Sequence, residues 1–539
     1  MRIPNLEQLW EYPEYWAKNY PDLPLIRFKK KTITNRDFNE MVDQLAKAFI
    51  SMGLKKGDTI VTMLPTVPEY ILTFIAASKV GAITIPMDIN YKKADLTRLI
   101  PHSNPKIIVS INKFGKIRSS EMLKELSSYF GDIQYVMVGK SDFGISFEEI
   151  LNTKYDLEKE LTLIKKTQNE DEDILIIWTG GTTGIPKAVL LSHKNIVSMA
   201  QLEYQKIAEA HMTFGLKDRM KFLVNLPVSH VGGTQELMCT SLIGNCEMIV
   251  QAQWSPFDSL SAMQKYNISW IGGVPTMFKI YLSLPNLDSY EPKKYLKFVI
   301  VAGEKVSLDL LEDIKEKICE NIIDGYGATE AGAGVAFTEI GDSFDKIANG
   351  YVGKPLPGVD IIIADENGNK LSKGEVGEVL VYGPITSKGY YKMPEENKAG
   401  FTSDGYCKTG DLGYLDEEGG LYITGRIKHI IRVGSYTVLP GEIEELVLKH
   451  PKVAIAAALG APDEIYGEVI WLVIIPELGQ EIGEKDKDEI LKICENNLAK
   501  FKVPKKIIVY PLDPDNLPIT RIGKVDRVRL KKELIPDSN

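Results

Sequence analysis

The segment Trp178-Thr-Gly-Gly-Thr-Thr-Gly-Ile-Pro-Lys-Ala-Val189 packs three glycines, three threonines and a lysine into one short stretch. Backbone N–H groups in such a loop can converge on one point, and the hydroxyls of Thr179, Thr182 and Thr183 add donors. With Lys187 as a point charge, the result is a concave anion site suited to phosphate. It is not a Walker loop, because Lys187 follows Pro186 instead of glycine and no Ser or Thr comes after it. Taken alone, the segment is equally compatible with a polar hairpin. The runs on either side, Ile174-Leu-Ile-Ile177 and Ala188-Val-Leu-Leu191, are short and apolar, and each reads as a buried strand.

Four further motifs follow in order: Asp324-Gly-Tyr-Gly-Ala-Thr-Glu330, Lys408-Thr-Gly-Asp411, Gly425-Arg-Ile-Lys-His-Ile-Ile-Arg432 and Leu517-Pro-Ile-Thr-Arg-Ile-Gly-Lys-Val-Asp-Arg527. Together with the Pro-Lys loop this set resembles the adenylate-forming superfamily, which comprises acyl- and aryl-CoA synthetases, beetle luciferases and peptide-synthetase adenylation domains. The resemblance runs from roughly Leu23 to Arg529 and is strongest to AMP-forming fatty acyl-CoA synthetases.

The resemblance implies a role for each motif. Thr179, Gly180, Gly181, Thr182, Thr183, Gly184 and Lys187 would wrap the β- and γ-phosphates of ATP. Relatives usually carry Ser at the position of Gly180 and Gly at that of Ala188. Asp324, Gly325, Tyr326 and Gly327 would line the nucleotide, with Tyr326 stacked on adenine and Ala302-Gly303-Glu304 as a second wall. Thr329 would reach the α-phosphate, and Glu330 would hold Mg²⁺, a hard cation that prefers oxygen ligands. Asp411 would accept from the ribose hydroxyls, with Arg426 as its cationic companion. Lys524 would catalyse adenylation by bridging the carboxylate and the α-phosphate as charge develops.

His230, in Leu226-Pro-Val-Ser-His-Val-Gly-Gly233, is assigned to substrate positioning. With Val231, Gly232, Gly233, Gly273 and Val274 it would form the acyl pocket. Apart from His230, Ser229–Gly233 and Gly272–Met277 carry no acidic or basic side chain, so the acid is expected to be hydrophobic. Gly232, Gly233, Gly272 and Gly273 are expected to leave room for it, or to serve turns. Lys428 and His429 would be the hinge, His429 standing where many relatives have Asp. Arg432, Gly434 and Ser435 would border the CoA path, Ser435 replacing a second glycine. The implied reaction activates a carboxylic acid with ATP and Mg²⁺ and passes it to CoA. An aryl acid, or a carrier-protein thiol as acceptor, is the alternative.

These groups must be held by more than one domain, and 539 residues suffice for that. The first half alternates helical patterns with short apolar runs. Pro68–Lys79 has helical spacing, Gly81 ends it, and the strand-like Ala82–Pro86 follows. Similar units occur at Leu260–Gly272 and Leu308–Ile323. From about Gly350 short β-like runs dominate, and near Gly425–His429 the texture changes again. Beyond lie helical patterns at Gly441–Lys449 and Lys487–Ala499, strand patterns at Ala454–Leu459, Ile470–Ile475 and Lys506–Tyr510, and a basic tail. The expected fold is α/β: residues 1–427 as layered sheets with a distorted barrel-like portion, and 428–539 as a small mobile α+β domain.

A net charge of −9, from 64 basic and 73 acidic residues mixed along the chain, argues against a nucleic-acid or membrane-surface specialist. The five cysteines are scattered with no CxxC pair, so neither a disulfide framework nor a zinc cluster is indicated. The first residues lack an apolar leader and no run is long enough to span a bilayer, which points to the cytoplasm. The assembly is left open between monomer and homodimer.

Overall fold

The computed structural model describes residues 3–179, 186–434, 436–463, 465–512, 517–519 and 525–535. Gly180, Gly181, Thr182, Thr183, Gly184, Ser435 and Lys524 therefore lie outside the described residues. A large N-terminal domain carries four sheets and a small C-terminal domain carries a fifth.

The longest sheet has eight strands. Asp173–Thr179 lies beside Ile83–Pro86, which continues through Thr59–Met63, Ile107–Ile111 and Gln134–Val138 in parallel. Parallel strands are covered on both faces, which explains their continuous apolar sequences. On the other side, Asp173–Thr179 and Lys187–Ser192 form an antiparallel pair whose last partners are Thr179 and Lys187. The Gly/Thr segment thus joins two core strands at an end where its flanks are fixed.

Helix Pro68–Val80 is apolar all round because it is buried on every side. Proline at its first turn and Gly81 in the left-handed region at its end set the limits. Its one long cation, Lys79, is fully buried and ion-paired with Asp43 and Glu14.

In a second sheet, Trp270–Gly273, Phe298–Ala302 and Ile322–Ala328 run parallel and end at a common edge, with Gly273 opposite Val301 and Ala302 opposite Gly325. Carboxyl ends of parallel strands are where α/β folds place ligands. The chain then turns back antiparallel as Ala333–Phe337. The portion expected to be barrel-like contains a four-stranded antiparallel sheet of Asp360–Ala364, Gly377–Tyr382, Cys407–Leu415 and Leu421–Arg426. It delivers Asp411 and Arg426 as direct cross-strand partners.

Gly353 fixes the approach of this portion to the second sheet. Its φ is +89°, and a Cβ there would collide with the Phe337 carbonyl. Gly353→Ala should therefore destabilise the N-terminal domain by about 3 kcal/mol, combining the left-handed penalty with a clash that cannot relax. Chemical denaturation followed by tryptophan fluorescence checks this.

In the C-terminal domain, Val453–Asp463 and Gly467–Pro476 form the longest ladder, with Ile431–Val433 and Lys506–Val509 alongside. Helices Pro440–Val447 and Glu484–Asn497 cover its core of Ile443, Val447, Leu472, Ile474 and Ile490. The basic tail is not loose. Arg527–Leu534 is a helix capped by Asp526, and Leu530 and Ile535 dock on the opposite sheet face.

Candidate active site

Two clusters of polar side chains both act on Lys428. In the first, the Tyr326 hydroxyl donates to Asp411 Oδ2 at 2.8 Å, and Arg426 Nε lies 2.6 Å from Asp411 Oδ1. Burial, with the Asp411 carboxylate beside it, pushes the Tyr326 phenol well above its usual range, so it remains a donor. The Asp411 side chain is only 3% exposed, whereas Arg426 is 40% exposed.

In the second cluster, Glu330 Oε1 lies 3.3 Å from Thr179 Oγ1 and 3.2 Å from the Tyr390 hydroxyl. Lys187 Nζ donates to that same hydroxyl at 3.4 Å and sits 4.8 Å from the centre of its ring. Lys428, expected at the hinge, feels both clusters. Partial burial and then Arg426 depress its ammonium, while Asp411 and Glu330 raise it. His429 follows it, half-buried.

Between the clusters the strand ends form walls. Thr329 is buried beneath the turn to Glu330. Gly303, with φ +98°, stands exposed between Ala302 and Glu304, and a Cβ there would meet only Val274 at 3.5 Å. The expected nucleotide wall and acyl wall therefore touch. Gly325 and Gly327 serve packing, since a Cβ would press on the Phe337 ring at the first and on the Ala333 carbonyl at the second. Asp324 is fully enclosed with Oδ1 accepting no hydrogen bond, and burial raises its pKa well above the carboxylate range. With Oδ1 unpaired, the carboxyl at this edge keeps an acceptor for a ligand.

His230 is half-buried and stands two residues before a helical stretch with i→i+5 bonds, Gly232–Cys239. Val231 is buried behind it, and Gly273 packs against Met277 and Phe278. Gly233 does not leave room: a Cβ there would collide with the Pro227 carbonyl, so this glycine serves close backbone approach. At Gly272 an added Cβ would make only ordinary contacts, the nearest with Trp270 at 3.5 Å. On the C-terminal domain, Gly434 is left-handed at φ +60° and its N–H donates to Tyr466. Arg432 is exposed, 3.4 Å from Glu366 of the N-terminal domain.

The sequence reading missed Tyr390 and Glu236. Tyr390 enters because strand Gly389–Tyr390 pairs with Val189 and Leu190, far away in sequence. Glu236 lies just beyond the segment inspected for charge.

Polar clusters at the ends of parallel strands, with a small second domain after them, fit an adenylate-forming enzyme. The family model for the AMP-binding enzyme matches residues 13–391, and that for its C-terminal domain matches residues 442–524. The chain belongs to the AMP-binding enzyme family and is an acid–thiol ligase.

It is 31% identical to "Probable CoA ligase CCL9" of Humulus lupulus over 92% of this chain and 90% of that one. Identity to an oxalate–CoA ligase of Arabidopsis thaliana is 29%, over 95% of each chain. With a long-chain-fatty-acid–CoA ligase of Bacillus subtilis it is 28%, over 96% and 93%. Among solved structures, ATP-bound MatB from Rhodopseudomonas palustris superposes with a TM-score of 0.79 at 25% identity, covering 97% and 98%.

Proposed function

We propose that the protein is an AMP-forming acyl-CoA synthetase that activates a hydrophobic carboxylic acid. The observation that carries this reading is the pair of clusters, Tyr326–Asp411–Arg426 and Thr179–Glu330–Tyr390–Lys187, that both act on Lys428. The first suits a nucleoside and the second a polyphosphate. Relatives named for acids as different as oxalate and long-chain fatty acids support the ligase chemistry and leave the acid to the pocket.

Asp411 would take the ribose hydroxyls, Tyr326 would cover the base and Asp324 would meet its polar edge. Lys187 and the Gly/Thr segment would hold the leaving pyrophosphate. Glu330, flanked by two hydroxyls, offers the oxygen donors that Mg²⁺ requires, and that ion would neutralise phosphate charge. The substrate carboxylate attacks the α-phosphorus, the bond to pyrophosphate breaks, and Lys524 and Arg426 stabilise the developing negative charge. In the second half, the CoA thiolate attacks the acyl carbonyl and AMP leaves. The C-terminal domain rotates about Lys428–His429 between the halves, replacing Lys524 with the Arg432–Ser435 face.

Pyrophosphate release over a panel of fatty and aromatic acids, with and without CoA and with products identified by mass, tests this. The expected products are acyl-CoA and AMP. A stable adenylate that ignores CoA would instead assign the acceptor to a carrier protein.

The segment carrying Lys524 has a visible anchor. Arg527 Nη2 contacts both oxygens of Glu444, at 2.7 and 2.6 Å, in a largely buried pair. Ile519 pairs with Val525, and the Asp526 N–H donates to the Pro518 carbonyl at 2.8 Å. Glu444→Gln should cost adenylation roughly tenfold by loosening the segment. Thioester formation from supplied acyl-adenylate should stay within about twofold, since it does not use Lys524. Equal losses in both half-reactions would reduce Glu444 to a fold-stabilising residue.

A further inference from the structure

The acid pocket holds a feature that a purely hydrophobic substrate leaves unused. Glu236 lies in the stretch Gly232–Cys239, whose i→i+5 bonding makes a wider turn of a kind common at functional sites. The stretch is rigidly placed. The Thr234 hydroxyl shares a 2.7 Å hydrogen bond with buried Tyr70, and Gln235 Nε2 donates to the Gly332 carbonyl at 2.9 Å. Gly332 lies two residues past Glu330, so the wide helix is bolted to the turn at Glu330.

The Glu236 side chain folds back over Gly232. A Cβ at Gly232 would stand 3.3 Å from Glu236 Oε2 and 3.1 Å from Leu226 Cδ1. Glycine here gives the carboxyl its space beside the acyl wall. Glu236 lies within the domain but is not fully covered, so part of its side chain stays accessible.

Behind it, on helix His193–Thr213, Glu203 is buried and accepts from Thr240 Oγ1 at 3.0 Å. Among the described residues neither carboxyl has a Lys, Arg or His ion-pair partner, and Glu236 accepts no hydrogen bond. Burial raises both above the ordinary carboxylate range, and Glu236 adds to the shift at Glu203. Two buried carboxyls without a cation are costly unless something donates to them. Glu203 has Thr240. Glu236 has accessible surface and, among the described residues, no such donor.

We propose that Glu236 is the specificity residue of the acid pocket, accepting a hydrogen bond from a hydroxyl or ammonium group at the end of the substrate remote from its carboxylate. The inference rests on the acid-activating reading above. It narrows that reading from a hydrophobic acid to one with an apolar body and a donor at its far end. A site built around such a donor discriminates strongly against the analogue that lacks it, because its own polar atom is then left unpaired.

The test is pyrophosphate release and acyl-CoA formation with matched acids. One set is aliphatic, of graded length, and ends in methyl, hydroxyl or ammonium. The other is aromatic with the same three groups opposite the carboxylate. In the best-accepted length or ring, a donor-bearing acid should exceed its methyl counterpart in kcat/KM by at least about tenfold. Glu236→Leu should invert that order, lowering the donor-bearing acid and raising the methyl acid. Glu236→Gln separates the two donors. A hydroxyl substrate should keep most of its advantage with the amide oxygen as acceptor, and an ammonium substrate should lose it with the charge.

A wild-type preference for the methyl acid would overturn the proposal. So would Glu236→Leu lowering donor and methyl acids alike, which would mark the carboxyl as structural. Either result leaves the acid-activating reading standing. If no acid in either set releases pyrophosphate, that reading fails and this one with it.

Discussion

Replacing Lys524 with alanine is expected to lower acyl-adenylate formation by about 10²- to 10³-fold, the loss typical of removing one preorganised charge from a transition state. ATP should still bind, because Asp411, Tyr326, Arg426 and Lys187 all come from the N-terminal domain. Lys524 itself lies outside the described residues, but the chain on both sides is fixed. Ile519 pairs with Val525, Arg529 Nη1 donates to the Leu517 carbonyl at 3.2 Å, and Arg527 is clamped by Glu444. With the described chain on both sides held in place, the Lys524 ammonium is expected to act as a preorganised group.

The measurement is single-turnover release of pyrophosphate, alongside nucleotide binding and thioester formation from chemically supplied adenylate. The first should collapse and the other two should survive. Undiminished release would remove Lys524 from the reaction, and equal loss of all three would mean only that the C-terminal domain no longer folds.

The contrast between Lys524 and Tyr390 shows what the sequence can and cannot convey. Lys524 is proposed from a Gly-Lys pair at a set distance after proline in a basic stretch, a local pattern. The strand ends were legible for a similar reason. Apolar runs bounded by glycine, as in Ala302-Gly303 and Gly272-Gly273, mark where parallel strands stop. Tyr390 reaches Lys187 across 203 residues of chain, through a two-residue strand whose only local signal is Gly389-Tyr390. Nothing near it in sequence records that partnership.

Glu236 failed differently. A search for charge within Ser229–Gly233 assumes that neighbours in sequence line the pocket, but the wide helix brings a residue from beyond that segment back over Gly232. The docking of the basic tail was not legible for a third reason. Arg527, Arg529, Lys531 and Lys532 dominate its composition, while its docking depends mainly on Leu530 and Ile535. Four charges outweigh two apolar contacts in a composition count and not in burial.

The other large effect belongs to Asp411. Asp411→Ala should raise KM for ATP by about 10- to 140-fold, from the 1.5–3 kcal/mol typical of a hydrogen bond to a charged group. Two losses combine. The ribose hydroxyls lose their acceptor, and the Tyr326 hydroxyl and Arg426 guanidinium lose the carboxylate that orients them. Which loss dominates can be decided. Asp411→Asn keeps one oxygen for Tyr326 or the ribose but removes the charge facing Arg426. Because Arg426 is 40% exposed, water screens much of that ion pair, so the amide should cost ATP affinity only a few-fold. Tyr326→Phe removes one donor and leaves Asp411 on Arg426, so it too should have a modest effect. The argument therefore predicts the order Ala, then Asn, then Phe for KM, with kcat falling mainly in the first. If Asn proves as damaging as Ala, charge on Arg426 governs the site and the ribose contact is secondary. If Ala leaves KM for ATP unchanged, Asp411 is not a nucleotide ligand, and the cluster around Tyr326 must be reassigned to holding the two sheets together.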